Sequence, residues 1–120
     1  MGNFLYPIRL AFEPERSKAF GSIGAGYTQV GTDIADAIRI IVLQNQTDVA
    51  VTFSFDGIND TITLQTKSTI SLDICTNRTL EQGLFLPIGA QIWVKQTTGA
   101  ASLGSVYVSA FYGTSGNNAS

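Results

Sequence analysis

Apolar and polar residues alternate with a period of two through most of this chain, the pattern of strands that bury one face and expose the other. Val49, Val51, Phe53 and Phe55 alternate with Ala50, Thr52, Ser54 and Asp56. Asp56-Gly57 then marks a turn, because glycine accepts the positive φ that hairpin turns demand. The return strand, Thr61 to Leu64, points Ile62 and Leu64 inward, and a third, Thr69 to Ile74, places Ile70, Leu72 and Ile74 on one face. These three strands are expected to form a meander.

Upstream, Ala37 to Leu43 is apolar almost throughout, which predicts a central strand covered on both sides. Tyr27 to Val30 is a shorter strand set among glycines. Downstream, Leu86-Pro87-Ile88-Gly89 reads as a turn, and Gln91 to Lys95 carries Ile92 and Val94 inward with Trp93 on the opposite face. In the last strand, Ser105 to Tyr112, one face holds Val106, Val108 and Ala110, and the other Tyr107 and Phe111, with Leu103 beside them. A short helical turn is expected near Thr79 to Gln82.

Short strands separated by Gly and Asn turns, without a long segment of period 3.6, predict an all-β fold. The expectation is an antiparallel β-sandwich or jelly-roll-like barrel. Pro14 opposes central-strand membership for the charge-dense stretch Glu13 to Lys18. Residues 1–20 are therefore read as an extended N-terminal arm or edge element, 21–113 as the sandwich domain and 114–120 as a flexible polar tail.

Composition excludes several kinds of chemistry. The chain has 120 residues, no His and one Cys. No Ser-His-Asp or Cys-His arrangement can form, and neither can a zinc site built on imidazole. A single thiol, Cys75, can neither close an internal disulfide nor supply a four-ligand zinc site; it reads as core filler. Seven Lys and Arg spread singly, against nine Asp and Glu, offer no basic patch for nucleic acid. The longest apolar run, Ile40 to Leu43, falls far short of the roughly 20 residues that cross a bilayer. Met1 to Pro7 lacks the basic and long apolar regions of a signal peptide. Synthesis in a cytoplasm is expected, with no membrane partner.

Other candidate sites have simpler readings. Asp56, Asn59 and Asp60 offer oxygens to calcium, but without EF-hand spacing or a bidentate Glu they read as turn residues. The pairs Asp33 with Asp36 and Glu13 with Glu15 read as solvated charges rather than the acid and base of a glycosidase. Gly21 to Gly26 lacks the Lys-Ser/Thr ending of a phosphate loop. Asn45-Gln46-Thr47, Asn59-Asp60-Thr61, Asn77-Arg78-Thr79 and Asn118-Ala119-Ser120 match the N-glycosylation pattern through a Thr- and Asn-rich composition. No catalytic residue, cofactor or metal is expected.

The aromatic residues are more suggestive. Trp93, Tyr107 and Phe111 face away from an already apolar inner side, as a subunit interface requires. With Tyr112, Phe12 and Phe20 they form the candidate interface. The competing use of Trp93, Tyr107 or Tyr112 is as a stacking platform in a carbohydrate-binding module.

The runs Ile40 to Asp48, with its Asn-x-Thr-Asp ending, Val51 to Gly57, ending Ser-Phe-Asp-Gly, Leu72-Asp73-Ile74-Cys75-Thr76-Asn77, and Gly104-Ser105-Val106-Tyr107-Val108 before Tyr112-Gly113 resemble small virion proteins of tailed bacteriophages. The resemblance runs from about Tyr27 onward and rests on strand and turn motifs. It implies a non-enzymatic structural protein that acts in multiple copies. The first position implied is capsid decoration or cement, and the alternative is a head-to-tail connector or tail ring. The partners would be further copies of the chain and other virion proteins, such as major capsid or portal and tail proteins, and its place would be the virion. A charged fraction of 13%, about half that of an average domain, suits a surface covered by neighbours.

Overall fold

The computed structural model describes residues 8–73 and 87–115. Among the described residues nine strands follow in order: β1 Ile8–Phe12, β2 Arg16–Ala19, β3 Thr28–Gln29, β4 Ile38–Asn45, β5 Val51–Ser54, β6 Ile62–Leu64, β7 Ser68–Asp73, β8 Trp93–Gln96 and β9 Ser105–Ser115. They form two antiparallel sheets packed face to face. The first runs β1-β9-β4-β7, with β2 also paired to β9, and the second runs β3-β8-β5-β6. Cys75, the turn near Thr79 to Gln82 and Asn77-Arg78-Thr79 lie outside the described residues.

One core lies between the sheets. Ile38, Ile41 and Leu43 of β4 and Val106, Val108 and Ala110 of β9 come from one sheet, and Val51, Phe53 and Val94 from the other. All are at most 1% exposed. Each of these side chains other than that of Ala110 contributes roughly 1.5–3 kcal/mol through removal from water. The period-two reading therefore holds on the inner face of β5, β8 and β9, while β4 breaks it once, at the register shift between Ile38 and Ile40.

Two expectations are corrected. β7 does not continue a meander with β5 and β6; it crosses to the first sheet and pairs with β4, Leu72 opposite Ile41 and Ile70 opposite Leu43. Either placement buries the same Ile70 and Leu72, so alternation alone cannot choose between sheets. β4 is not covered on both sides either, since Ile40 and Val42 lie half-buried on the outer face of the first sheet.

Residues 8–19 run along one edge of β9. Phe12 sits opposite Phe111 and Arg16 opposite Val108, so three residues on this side, 13, 14 and 15, face two on the other, 109 and 110. Pro14, which has no N–H to give a ladder, occupies this bulge. The extra residue inverts the alternation: Phe12 faces outward, whereas Arg16 turns inward and is buried. Glu13 and Arg16 are thereby both enclosed. Arg16 Nη2 donates to Glu13 Oε1 at 2.6 Å and to the Asp33 carbonyl at 3.0 Å, and Nε donates to the Thr32 carbonyl at 2.9 Å. Glu13 Oε2 accepts the Ala35 N–H at 3.0 Å. This tie fastens the β1–β2 edge to the loop before β4.

Candidate functional site

The outer faces of the two sheets differ. On the first sheet, Phe12, Phe111 and Ile40 form a row across β1, β9 and β4. Leu10 stands beside Phe12 on β1, and Val42 beside Ile40 on β4. Leu10 is 68% and Phe12 73% exposed. Serine, threonine, glutamine and aspartate border the strip: Ser109, Ser71, Gln44, Thr69 and Asp73. Tyr107, opposite Gln44 and Ser17, stands half-buried in the next row. Scattered apolar residues are ordinary on a surface, whereas a contiguous apolar row with a polar rim is the feature that interaction surfaces share.

The structure distributes the six candidate residues among four environments. Phe12, Phe111 and Tyr107 share the outer face just described. Phe20, 38% exposed, lies in a 3₁₀ turn, Phe20–Ser22, at one end of the sandwich, where its N–H bonds the Gly104 carbonyl. Tyr112 belongs to the inner face, opposite Ile38 and packed against the core, because it is one step out of phase with Phe111. Trp93 points away from the core as its alternation requires, but the β5–β6 loop folds over it. A Cβ on Gly57, whose φ is +75°, would stand 3.0 Å from two indole carbons. Trp93 is half-buried there, its Nε1 without a hydrogen-bond partner among the described residues. Sequence reasoning missed Leu10, Ile40 and Val42. Reading residues 1–20 as an arm, outside the sheet, hid the first, and an apolar run long enough to suggest two-sided burial hid the others.

The β5–β6 loop is held by its own polar side chains. Asp56 Oδ1 accepts the N–H of Ile58 and of Asn59, each at 2.8 Å, and the Ser54 hydroxyl at 2.7 Å; Oδ2 accepts the Asn59 amide at 2.7 Å. The Asp56 oxygens are thus engaged within the turn. Asp60 reaches back over the second sheet, where Oδ1 accepts the Tyr27 hydroxyl at 2.5 Å and lies 3.0 Å from Lys95 Nζ. Lys95 Nζ also stands 4.7 Å above the Tyr27 ring. Desolvation and the Asp60 carboxylate push the Tyr27 hydroxyl up to about 12, so it remains a donor.

The sequence-adjacent carboxylates do not pair. Asp33 accepts Gln29 Nε2 at 2.7 Å and Gln91 Nε2 at 3.1 Å, and Glu15 accepts the Ser109 hydroxyl at 3.3 Å. Asp36 instead shares a hydrogen bond with Glu13, which raises its carboxyl. Burial pushes Glu13 up, but bonds from Arg16, Asp36 and the Ala35 N–H bring it below the ordinary value.

These shifts give stability a pH dependence. Asp56 is lowered by the Asn59 and Ile58 N–H groups, Asp33 by Gln29, Asp48 by Ser102 and Asp60 by Tyr27. A carboxylate lowered in the folded state contributes stability above its unfolded value, 3.8 here, and loses it as pH falls toward its folded value. Asp36, raised, acts in the opposite sense: its contribution is present below 3.8 and lost as pH rises through its folded value. The lowered groups outnumber it. The urea midpoint is expected to drop progressively between about pH 5 and pH 2, and a flat midpoint over that range would show these bonds to be absent in solution.

Comparison of the chain with protein-family models, with curated proteins and with solved structures found no match. Its function must be argued from these two faces.

Proposed function

We propose that this chain is a non-enzymatic structural protein of a tailed-phage particle, working in multiple copies and docking through the outer face of its first sheet. The observation that carries the reading is the row Phe12–Phe111–Ile40, flanked by Leu10 and Val42 and rimmed by polar residues, of which Asp73 carries a charge. Phe12 and Leu10 are among the most exposed large apolar side chains described. Repetition around a shell or ring would make a modest contact at each copy into durable attachment.

The strand order supports the same reading. Sheets ordered β1-β9-β4-β7 and β3-β8-β5-β6 lay the first and last strands side by side and carry the chain from one sheet to the other at most steps, β1 to β2 and β5 to β6 excepted, which supports reading the sandwich as a jelly roll. That architecture is shared by viral capsid domains and lectins; since folds host many functions, it supports the docking face without replacing it. Capsid decoration is the position we favour, because a single small sandwich with a flat apolar face suits bridging between shell subunits. The alternative is a head-to-tail connector or tail ring, and in either case the place is the virion.

The test is light scattering after size exclusion, with and without Leu10→Ser and Phe12→Ser. The unmodified chain is expected to self-associate or to bind purified capsids. The double variant should weaken that association at least roughly tenfold while its urea midpoint shifts by no more than about 1 kcal/mol equivalent, as befits exposed positions. A chain that stays monomeric and leaves capsids and tails unbound would overturn the proposal. So would a double variant that associates as before.

A further inference from the structure

The second sheet carries a different feature on its outer face: a cavity of about 390 Å³ between the β8 end, the loop after it and the Asp60 corner. That size lies toward the low end of small-molecule sites, about 300–1,000 Å³. Thr52, Asp60, Lys95, Gln96, Thr97 and Thr98 supply its polar groups, and Ala25 and Gly99 complete the wall. The hydroxyls are linked. Thr52 Oγ1 lies 3.1 Å from Thr63 Oγ1 and 2.7 Å from Thr97 Oγ1, and in each pair either oxygen can be the donor. The chain of hydroxyls can therefore reverse its polarity and offer a ligand a donor or an acceptor.

The lining narrows the ligand by chemistry. Lys95, the one cation on the cavity wall among the described residues, is already neutralised by Asp60 at 3.0 Å, so an anion finds no unpaired charge. A cation would meet a single carboxylate engaged by that same lysine. Apolar ligands need walls dominated by carbon, and these are mostly hydroxyl, amide and charge. A flat heterocycle would need a ring face, but that of Tyr27 is taken up by Lys95 Nζ at 4.7 Å. What remains is a neutral polyhydroxyl compound. Its vicinal hydroxyls match an ammonium and a carboxylate held side by side, donor next to acceptor, with Asp60 Oδ2 left outside the Tyr27 and Lys95 contacts.

We infer that the cavity bounded by Thr52, Asp60, Lys95 and Thr97 is a saccharide-binding site, taking one or two sugar units. It lies on the sheet opposite the proposed docking face, so a copy fixed through the first sheet would present it outward. Neither surface depends on the other. Trp93, the residue that sequence alone suggests for stacking, has no part in it, being covered by the β5–β6 loop.

An amide-resolved NMR titration of the full chain tests this, using methyl glucoside, methyl galactoside and N-acetylglucosamine at millimolar concentrations, with inorganic phosphate as a separate arm. At least one sugar should move the amides of Thr52, Lys95, Thr97 and Gly99 saturably. Asp60→Asn and Thr97→Val should each weaken that binding by about tenfold, with spectral dispersion showing both variants folded. Should Thr97→Val unfold the chain, Asp60→Asn, at an exposed position, still decides. Leu10→Ser with Phe12→Ser should leave the titration unchanged, which separates this site from the docking face. Sugars that move none of these amides, shifts that persist unaltered in Asp60→Asn, or phosphate acting where sugars do not would each overturn the assignment.

Discussion

Asn45→Ala is expected to lower the unfolding free energy by about 3 kcal/mol or more, since it strips partners from several enclosed backbone groups at once. Asn45 is fully buried at the end of β4. Its Nδ2 donates to the carbonyls of Val49, Leu64 and Gln65 at 2.8, 3.0 and 3.1 Å. Its Oδ1 accepts the Thr47 N–H at 3.0 Å and the Thr47 hydroxyl at 2.6 Å. One side chain thereby shapes the β4–β5 turn and joins it to the β6–β7 connection, whose Thr66 hydroxyl also donates to the Thr47 carbonyl. Asn45→Asp should be at least as damaging, because a carboxylate would face three carbonyl oxygens. Urea denaturation of both variants checks this, and a loss below about 1 kcal/mol would mean that water replaces the amide at little cost. The same burial explains why Asn45-Gln46-Thr47 is no glycosylation site in the folded chain: the acceptor nitrogen is inside.

Gly104→Ala should cost a comparable amount, about 3 kcal/mol or more, through strain and collision together. Gly104 has φ +91°, and a Cβ there would stand 2.0 Å from the Gln46 carbonyl oxygen and 2.8 Å from Thr47 Cα. Those neighbours are backbone and cannot rotate away. The approach is close because the turn before β9 packs onto the β4–β5 turn: the Gln46 N–H bonds the Ser105 carbonyl at 2.9 Å, and Asp48 accepts the Ser102 N–H at 2.9 Å. Thermal unfolding of Gly104→Ala measures the effect. A melting temperature within about 4 °C of the unmodified chain, the equivalent of roughly 1 kcal/mol or less, would show that the two turns separate easily.

These two residues also belong to the motifs on which the expected resemblance rests. The Asn-x-Thr-Asp ending and the Gly-Ser-Val-Tyr-Val strand are the two sides of one joint, and Ser-Phe-Asp-Gly closes the loop that covers Trp93. They are packing devices of a β-sandwich. That is why they speak clearly of fold and leave the function to the outer surfaces.

Much of the candidate site was half legible for the same reason. Alternation correctly placed Tyr107 and Phe111 outward, but it says nothing of what a distant loop lays over a strand, so it could not separate covered Trp93 from exposed Phe12. The Thr52–Thr97 hydroxyl contact and the Asp60–Lys95 pair span 45 and 35 residues, and no local pattern announces either.

By itself the sequence determined the inner face of β5, β8 and β9, where glycine or a proline must interrupt, and that the protein is built of antiparallel strands. Side chains obey a period of two wherever a strand forms, whatever it pairs with. Only the tertiary structure decided that β7 joins β4 and not β6, that Pro14 inverts the face of the N-terminal edge, and which outward side chains meet water. Those outcomes depend on contacts between segments far apart in the chain. There, several pairings bury the same apolar residues equally well, and backbone hydrogen bonding across the whole sheet makes the choice.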